Sequence, residues 1–226
     1  MNPLRILWVA AISFLISACA TTQGPPPLEP NAARAQWEIT KEQLRTVSSW
    51  RLRGKMGVKT GRKGGSATLK WDYSDQVQRI ELYGPFGGGR VIINTDIDGA
   101  VLRDTKGKSI VGNSASEVLY QRLGWQVPFN QMADWARGLP GKSATDLKLD
   151  GQGRLKELKQ DNWLVQYQNY KPFNTGTLLV DLPTRLEISA LPGTIEIYSD
   201  DGKYIGDDLS VKVLLKKWWE IEIDPT

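Results

Sequence analysis

Apolar residues recur at every second position through much of this chain of 226 residues, and this spacing restricts the fold more than any other feature. In the first run, Trp50, Leu52, Met56 and Val58 alternate with arginine and lysine residues. A period of two puts alternate side chains on opposite faces of a β-strand, so that one face is apolar and the other meets water. Similar runs are spread along the chain, at 67–73, 77–82, 91–101, 147–149, 155–158, 163–167, 185–188, 194–197 and 211–223. The spacing predicts a mainly β fold built from about eleven antiparallel strands.

Two segments in the middle of the chain interrupt this pattern with helical spacing. Val118, Leu119 and Leu123 fall on one face of the segment 113–124, and a serine stands where a helix cap is expected. The segment 129–137 carries its apolar residues mostly on one stripe. We expect both helices to lie as a lid over the concave side of an unclosed barrel. A curved sheet closed by two short helices can leave an apolar cavity, and an ordinary packed core is the competing interpretation.

The composition excludes several classes of chemistry. The sequence has no histidine and one cysteine, so it cannot build a Ser-His-Asp or Cys-His pair, a histidine-ligated metal site or an internal disulfide. A formal net charge of +4 is too small to indicate a nucleic-acid partner. We expect neither a metal nor another cofactor.

Pairs of acidic residues beside glycines are the remaining candidates for catalysis. They are Asp96 and Asp98, Asp200 and Asp201, and Asp207 and Asp208. Paired carboxylates serve glycosidases, so a hydrolase that acts on the cell wall is one alternative. Hairpin turns explain the same residues, because aspartate and glycine favour turn conformations. The prediction is a protein without enzymatic activity.

The N-terminus resembles an export and lipidation signal. Residues 6–16 form an almost unbroken apolar run that would span about 16 Å as a helix, half of a bilayer core. This length is typical of a signal peptide, which we place at residues 1–18. The run ends in Ile16-Ser17-Ala18-Cys19, which resembles a bacterial lipobox, and we predict that Cys19 carries a lipid anchor.

The residues after the cysteine predict where the protein is held and how. Ala20 stands at a position where aspartate would resemble the signal for retention in the inner membrane, so we expect the periplasmic face of the outer membrane. The segment 19–36 is rich in proline and is predicted to be a flexible tether. Residues 37–226 show no internal boundary and are predicted to form a single domain.

Phe86 is an apolar residue in a connection where polar residues are expected. It lies in the run Gly84–Gly89, between two predicted strands, and no Lys-Ser or Lys-Thr follows as in a phosphate-binding loop. One interpretation is that Phe86 folds back onto the sheet. The other is that it protrudes as a hydrophobic finger that touches lipid.

A set of motifs stands in a characteristic order along the chain. They are the lipobox, Trp50–Gly54, Leu69-Lys70-Trp71, the loop Gly84–Gly87 after Ile80-Glu81-Leu82, the helix Ala115–Gly124, Trp135–Gly141, Trp163–Tyr167 and Leu182-Pro183. In this order the chain resembles the LolB family of outer-membrane lipoproteins, which receive other lipoproteins from the periplasmic carrier LolA. The resemblance implies an unclosed antiparallel barrel with a helical lid and an apolar cavity for acyl chains. The apolar residue of the family's protruding loop, usually leucine, falls on Phe86.

The resemblance also implies a function and its partners. It implies an acceptor, anchored in the outer membrane, that takes lipoproteins from a LolA-like carrier, shields their acyl chains and inserts them into the membrane. The expected partners are the carrier, the lipoprotein cargo and outer-membrane lipid, and we expect a monomer. The residues expected to line the cavity are Trp50, Leu52, Met56, Leu69, Trp71, Ile80, Leu82, Val118, Leu119, Met132, Trp135, Val165, Tyr167 and Trp218. The alternative is a lipoprotein that binds lipid or a small hydrophobic molecule and has no transfer role.

Overall fold

The computed structural model describes residues 25–61, 63–84, 89–198 and 202–224. The predictions for the signal peptide, Cys19, Phe86 and the pair Asp200 and Asp201 fall outside these residues. In the described part, thirteen strands and three helices account for the regular structure. The helices are α1 (Pro30–Arg45), α2 (Ala115–Leu123) and α3 (Phe129–Arg137). The strands are β1 (Val47–Thr60), β2 (Lys63–Ser74), β3 (Gln78–Tyr83), β4 (Arg90–Asp96), β5 (Gly99–Asp104), β6 (Ser109–Gly112), β7 (Ala144–Leu149), β8 (Leu155–Gln160), β9 (Trp163–Asn174), β10 (Leu179–Ala190), β11 (Ile197–Tyr198), β12 (Tyr204–Gly206) and β13 (Leu209–Ile223).

Eleven of the described strands form one antiparallel sheet that does not close. The strand order is β6-β5-β4-β3-β2-β1-β13-β10-β9-β8-β7, and β11 pairs with β12 in a separate hairpin. The predicted unclosed sheet of about eleven strands is therefore confirmed. The two edge strands, β6 and β7, are joined in sequence by the segment that contains α2 and α3. Both predicted central helices are confirmed: α2 packs against β4, β5 and β6, and α3 packs against β10 and α2.

The pairing of β1 with β13 joins the two halves of the sheet. Val47 lies opposite Ile223 and Thr60 opposite Leu209, so the strands pair along their whole length. Arg53 pairs with Lys217 while Gly54 pairs with Leu215, which makes Lys216 the extra residue of a β-bulge. A β-carbon at position 54 would overlap the carbonyl oxygen of Leu214, so the close approach of the two strands at this point requires glycine.

The sheet has two ends, which we call proximal and distal. The proximal end is where β1 begins and β13 ends, and the connections β2–β3, β4–β5, β7–β8 and β9–β10 lie there. The distal end carries the connections β1–β2, β3–β4, β5–β6 and β8–β9. The segment that contains Phe86 follows β3 and precedes β4, and the adjoining strand ends, Tyr83 and Arg90, lie at the distal end.

Helix α1 lies across the proximal end. The chain just before it is held at the β7–β8 turn, because the Leu28 amide donates to the Gly151 carbonyl at 2.7 Å. The helix ends next to Val47 at the start of β1, and its buried residues are Ala33, Trp37 and Leu44. No helix in the described part of the chain combines the length and apolar character needed to cross a bilayer.

The position of α1 corrects the prediction of a flexible tether in its described part, residues 25–36. Residues 25–28 make hydrogen bonds to the β7–β8 turn, and residues 30–36 are helical. Pro30 is well suited to the first turn of a helix, and alanine residues favour its continuation. The tether was predicted because the apolar stripe of α1 has few residues. The hydrogen bonds that hold the chain before α1 come from a turn more than a hundred residues away.

Candidate lipid-binding core and its lid

The core of the molecule is built around a cluster of aromatic side chains. The ring of Trp50 stacks on Tyr73, with 4.9 Å between centroids. It meets the edges of Trp71 at 5.1 Å and Trp218 at 5.2 Å. Phe129 of α3 packs edge-on against Trp71 at 5.4 Å, which links the lid to the sheet. Aromatic pairs in these geometries add to the free energy gained from burial.

The structure brings all fourteen predicted cavity residues together in one hydrophobic cluster. Their relative exposures run from 0% to 6%, so in this conformation the cluster is closed to solvent. Trp50 also lines a 520 Å³ pocket at the proximal end, and Leu82 lines a 60 Å³ pocket beside Arg90 at the distal end. The cluster is therefore both the core of the domain and the proposed lining of a cavity.

A groove runs between the two lid helices. It has a volume of 360 Å³ and is lined by Tyr120 of α2, Asn130 of α3, the connecting residues around Val127, and Trp163 of β9. Both lid helices end at a glycine in the left-handed conformation, Gly124 with φ 70° and Gly138 with φ 82°.

Arg137 is a buried cation that fastens α3 to the sheet. Its Nη1 donates to the Val47 carbonyl and its Nη2 to Asp134, both at 2.6 Å, and its guanidinium lies 5.5 Å from the centre of the Tyr73 ring. Its Nε has no hydrogen-bond partner among the described residues. Arg137 lies in the motif Trp135–Gly141, but no role for it was predicted from the sequence. The one feature of the sequence that could have indicated a role is the position of this arginine beside the apolar stripe of a lid helix.

Three polar atoms in the apolar core are buried without a hydrogen-bond partner among the described residues. They are Trp50 Nε1, Trp218 Nε1 and the Tyr167 hydroxyl oxygen. Burial raises the pKa of Tyr167 well above its usual value, and Asp134 adds to the effect, so the phenol keeps its proton. Each of the three groups can donate to a carbonyl oxygen, and buried polar groups normally have such a partner.

Glu81 organises the outer face of the sheet where the Phe86 segment leaves it. Its carboxylate accepts hydrogen bonds from Arg79 at 2.8 Å, Arg90 at 2.7 Å and the Tyr83 hydroxyl. Burial alone would raise the pKa of Glu81, but the hydrogen bonds from Tyr83, Arg79 and Arg90 outweigh it and lower the pKa to about 2. Tyr83 and Arg90 face each other across β3 and β4, so Glu81 holds both strands where the connection begins.

The carboxylates of the described acidic pairs accept backbone amides. Asp96 Oδ1 accepts the amide of Asp98 at 2.9 Å, and Asp207 Oδ2 accepts the amide of Gly193 at 3.0 Å. A side-chain oxygen that accepts an amide two residues ahead is the usual geometry of an aspartate turn. The contact of Asp96 matches the turn interpretation of the first pair. The contact of Asp207 instead links two connections that are fourteen residues apart.

The fold places the chain in a known structural class. It is similar to a LolA superfamily protein from Nitrosomonas europaea, with a TM-score of 0.50 and 11% sequence identity over 85% of this chain and 94% of that one. At this identity the similarity concerns the fold alone, an open antiparallel sheet with helices against it.

Sequence comparison then identifies the family. The family model for the outer membrane lipoprotein LolB matches residues 48–218. The outer-membrane lipoprotein LolB of Pseudomonas putida (strain GB-1) is 33% identical over 205 residues, which cover 90% of each chain. That of Pseudomonas aeruginosa (strain LESB58) is 31% identical over 217 residues, which cover 95% of this chain and 96% of the relative. The chain belongs to the LolB family of outer-membrane lipoproteins, whose role is lipoprotein localisation.

Proposed function

We propose that this protein is an acceptor, anchored in the outer membrane through Cys19, that takes lipoproteins from a LolA-like periplasmic carrier and inserts them into the membrane. The observation that carries the proposal is the closed apolar core beneath α2 and α3 in a sheet whose edges do not pair. Family membership supports the same role.

The acyl chains of a lipoprotein need a shield while they cross water. Each methylene contributes about 0.8 kcal/mol on transfer from water, so one chain of about sixteen carbons would expose about 13 kcal/mol. The fourteen core residues would supply this shield once the lid moves. Because α2 and α3 connect the two edge strands, their displacement opens the core and leaves every strand pair of the sheet in place.

The buried donors of the core suit the polar part of an acyl group. Trp50, Trp218 and Tyr167 each keep one hydrogen-bond donor among apolar side chains. Ester and amide carbonyl oxygens of a lipidated cysteine would accept from these groups and remove the cost of leaving them unpaired. Release into the bilayer is downhill if the core holds the chains less tightly than the membrane does, so no energy source is needed.

Phe86 remains a proposal for the contact that lets cargo enter the bilayer. Its support is the apolar residue in a glycine-rich connection and the family's apolar residue at the same place. Replacing Phe86 with glutamate is expected to leave cargo acceptance intact and to slow insertion into vesicles. Equal insertion by the variant and the wild type would refute the role of Phe86 in insertion.

Direct transfer of cargo tests the proposal. The mature chain with Cys19→Ser, which carries no lipid, is mixed with carrier-bound lipoprotein, and the cargo is followed by pull-down without ATP. Cargo is expected to move to this protein and to remain on the carrier when Met132, a buried lid residue, is replaced by glutamate. Leu214→Glu is the control, because Leu214 is 38% exposed on the opposite face of the sheet.

The same experiment separates the acceptor from a lipid-binding protein without a transfer role. The wild-type protein is tested in parallel for binding of a fluorescent fatty acid. If the fatty acid binds while cargo stays on the carrier, the protein is a lipid-binding module and the acceptor proposal is wrong.

A further inference from the structure

Exposed aliphatic side chains stand at the turns of the proximal end. Val77 lies in the β2–β3 connection and is 54% exposed, Ile97 lies at the β4–β5 turn and is 89% exposed, and Leu179 begins β10 and is 68% exposed. Turns normally carry polar residues and glycine. Two hairpin turns of the distal end follow this rule, since residues 105–108 are Thr-Lys-Gly-Lys and residues 161–162 are Asp-Asn. The connection from β10 to β13, at the same end, exposes the aromatic side chains of Tyr198 and Tyr204 but no large aliphatic one among its described residues.

Two further exposed aliphatic residues lie at the same end. Leu28 precedes α1 beside the β7–β8 turn, and Ile39 lies on the outer side of α1. We call Leu28, Ile39, Val77, Ile97 and Leu179 the proximal rim. The strand order and the docking of α1 together gather these residues, which come from four separate parts of the chain.

The start of the described chain also lies at this end. The carbonyl oxygens of Pro25 and Pro26 accept hydrogen bonds from the Gln152 side chain in the β7–β8 turn, at 3.2 Å and 3.1 Å. The chain from Cys19 to Pro25 can span at most about 20 Å even when fully extended. A lipid on Cys19 would therefore keep the proximal end close to the headgroups of the bilayer.

We propose that the proximal rim is a membrane-docking surface that places its aliphatic side chains in the interfacial layer of the outer membrane. The proposal rests on the lipid anchor of the proposed function. Asp96 and Asp98 flank Ile97, so contact with the bilayer is shallow and apolar and does not depend on attraction to anionic lipid. The partner is the phospholipid surface that already holds the anchor.

Docking at this end has a consequence for cargo. The connection that contains Phe86 follows β3, whose distal end is about 20 Å from the proximal end along its six residues. With the rim on the bilayer, the distal ends of β3 and β4 face the periplasm, where a carrier arrives. Contact of Phe86 with the membrane then requires the domain to tilt about its short tether.

Site-specific fluorescence on the lipidated protein tests the orientation. Cysteine is introduced as Ile97→Cys at the proximal end or as Lys106→Cys at the distal end, and each is labelled with a polarity-sensitive fluorophore. The acylated Cys19 does not react. The protein is reconstituted in vesicles of phosphatidylethanolamine and phosphatidylglycerol that contain headgroup-labelled quencher lipid. We expect quenching at position 97 and none at 106, whereas equal quenching, no quenching, or quenching at 106 alone would overturn the proposal.

A second measurement tests the side chains themselves. The mature chain with Cys19→Ser is compared with a variant that also carries Val77→Ser, Ile97→Ser and Leu179→Ser. The triple change is expected to lower partitioning into the same vesicles by at least about tenfold, because the apolar side chains that would leave water for the bilayer are removed. Leu214→Ser is the matched control and should partition as the wild type. Partitioning should not weaken as salt is raised. Equal partitioning of the triple variant and the wild type, each folded by circular dichroism, would contradict the rim.

The result of the labelling experiment at positions 97 and 106 does not depend on whether the proposed acceptor function is correct. Transfer from the carrier is measured in solution without vesicles, and the labelling needs neither carrier nor cargo. If the wild type fails to accept cargo but position 97 is quenched, the acceptor proposal fails and the rim stands. If cargo transfers and position 97 is not quenched, the rim fails alone.

Discussion

At the scale of single residues, Gly54 shows how a bulge in one strand constrains its neighbour. The extra residue in β13 brings the Leu214 carbonyl into the space that a side chain at position 54 would occupy. Gly57, three residues along the same strand, has its nearest neighbouring atom 3.8 Å from the position of an added β-carbon. The two glycines look alike in the sequence, and only the pairing of β1 with β13 separates them.

We expect Gly54→Ala to lower the free energy of unfolding by about 2–3 kcal/mol, because the strands must move apart. Gly57→Ala is the matched control and should change it by less than about 1 kcal/mol. Urea denaturation monitored by tryptophan fluorescence measures both. Equal effects of the two substitutions would show that the bulge contact is not the cause.

Glu81 predicts a pH dependence of stability. Its folded pKa of about 2 lies below its ordinary value of 4.5, so the ionised form is favoured by folding. The stabilisation is therefore present above about pH 4.5 and is lost as the pH falls through about 2. Glu81→Gln should lower the free energy of unfolding by about 1–2 kcal/mol at pH 7 and by almost nothing near pH 2. The value at pH 7 is smaller than the pKa shift alone implies, because the partner arginines are partly exposed and solvent screens them.

The control for this prediction is Glu187→Gln. Glu187 forms a single, more exposed ion pair with Lys212 at 3.0 Å, so its removal should have a small effect at every pH. Denaturation curves between pH 7 and pH 2 provide the comparison. A difference between wild type and Glu81→Gln that stays constant over this range would refute the assignment.

At the scale of elements, the lid combines predictable helices with a fastening that the sequence did not reveal. Ser114 caps α2 by accepting the Glu117 amide at 3.2 Å, and Glu117 accepts the Asn113 amide at 2.8 Å. This reciprocal cap and the glycine at the other end are local signals, which is why both helices could be predicted. The contact of Arg137 with Val47 joins residues ninety positions apart, so no local pattern predicts it.

Replacing Arg137 with methionine should loosen the lid while keeping most of the aliphatic stem. We expect faster hydrogen exchange at the amides of α3 and faster association of a fluorescent fatty acid. The free energy of unfolding should fall by about 1–3 kcal/mol, because the Val47 carbonyl loses its partner and the ion pair with Asp134 is lost. Arg185→Met is the control, because Arg185 is exposed on the outer face of β10. Unchanged exchange in α3 would mean that Arg137 does not fasten the lid.

At the scale of the whole molecule, the last strand lies at the centre of the sheet. β13 pairs with β1 on one side and β10 on the other, so the two halves of the sheet are joined only through it. Consecutive strands form the remaining neighbours of the main sheet, and these hairpins and meanders are the part that sequence order predicts best.

Removal of residues 209–226 should therefore prevent cooperative folding. The truncated chain would expose the inner faces of β1 and β10 and lose buried residues such as Val211 and Val213. Loss of the near-ultraviolet circular dichroism signal and of a cooperative thermal transition would be the result. Removal of residues 225–226 alone is the control and should leave both signals intact, and a cooperative transition in the longer truncation would contradict the central role of β13.

The sequence by itself predicted most strands of the main sheet and the two lid helices, because alternation and helical spacing are local properties of the chain. The short strands β6 and β12 fall outside the predicted runs. All fourteen residues expected to line the cavity are buried, from Trp50 to Trp218, and their role in binding acyl chains stays a prediction. The tertiary structure decided what depends on distant partners: the docking of α1 on the β7–β8 turn, the closed state of the core, the contact of Arg137 with Val47, and the collection of five aliphatic residues at one end. These features arise where segments far apart in sequence meet. The free energy of such contacts depends on how the distant side chains pack together, and a local sequence pattern does not contain that information.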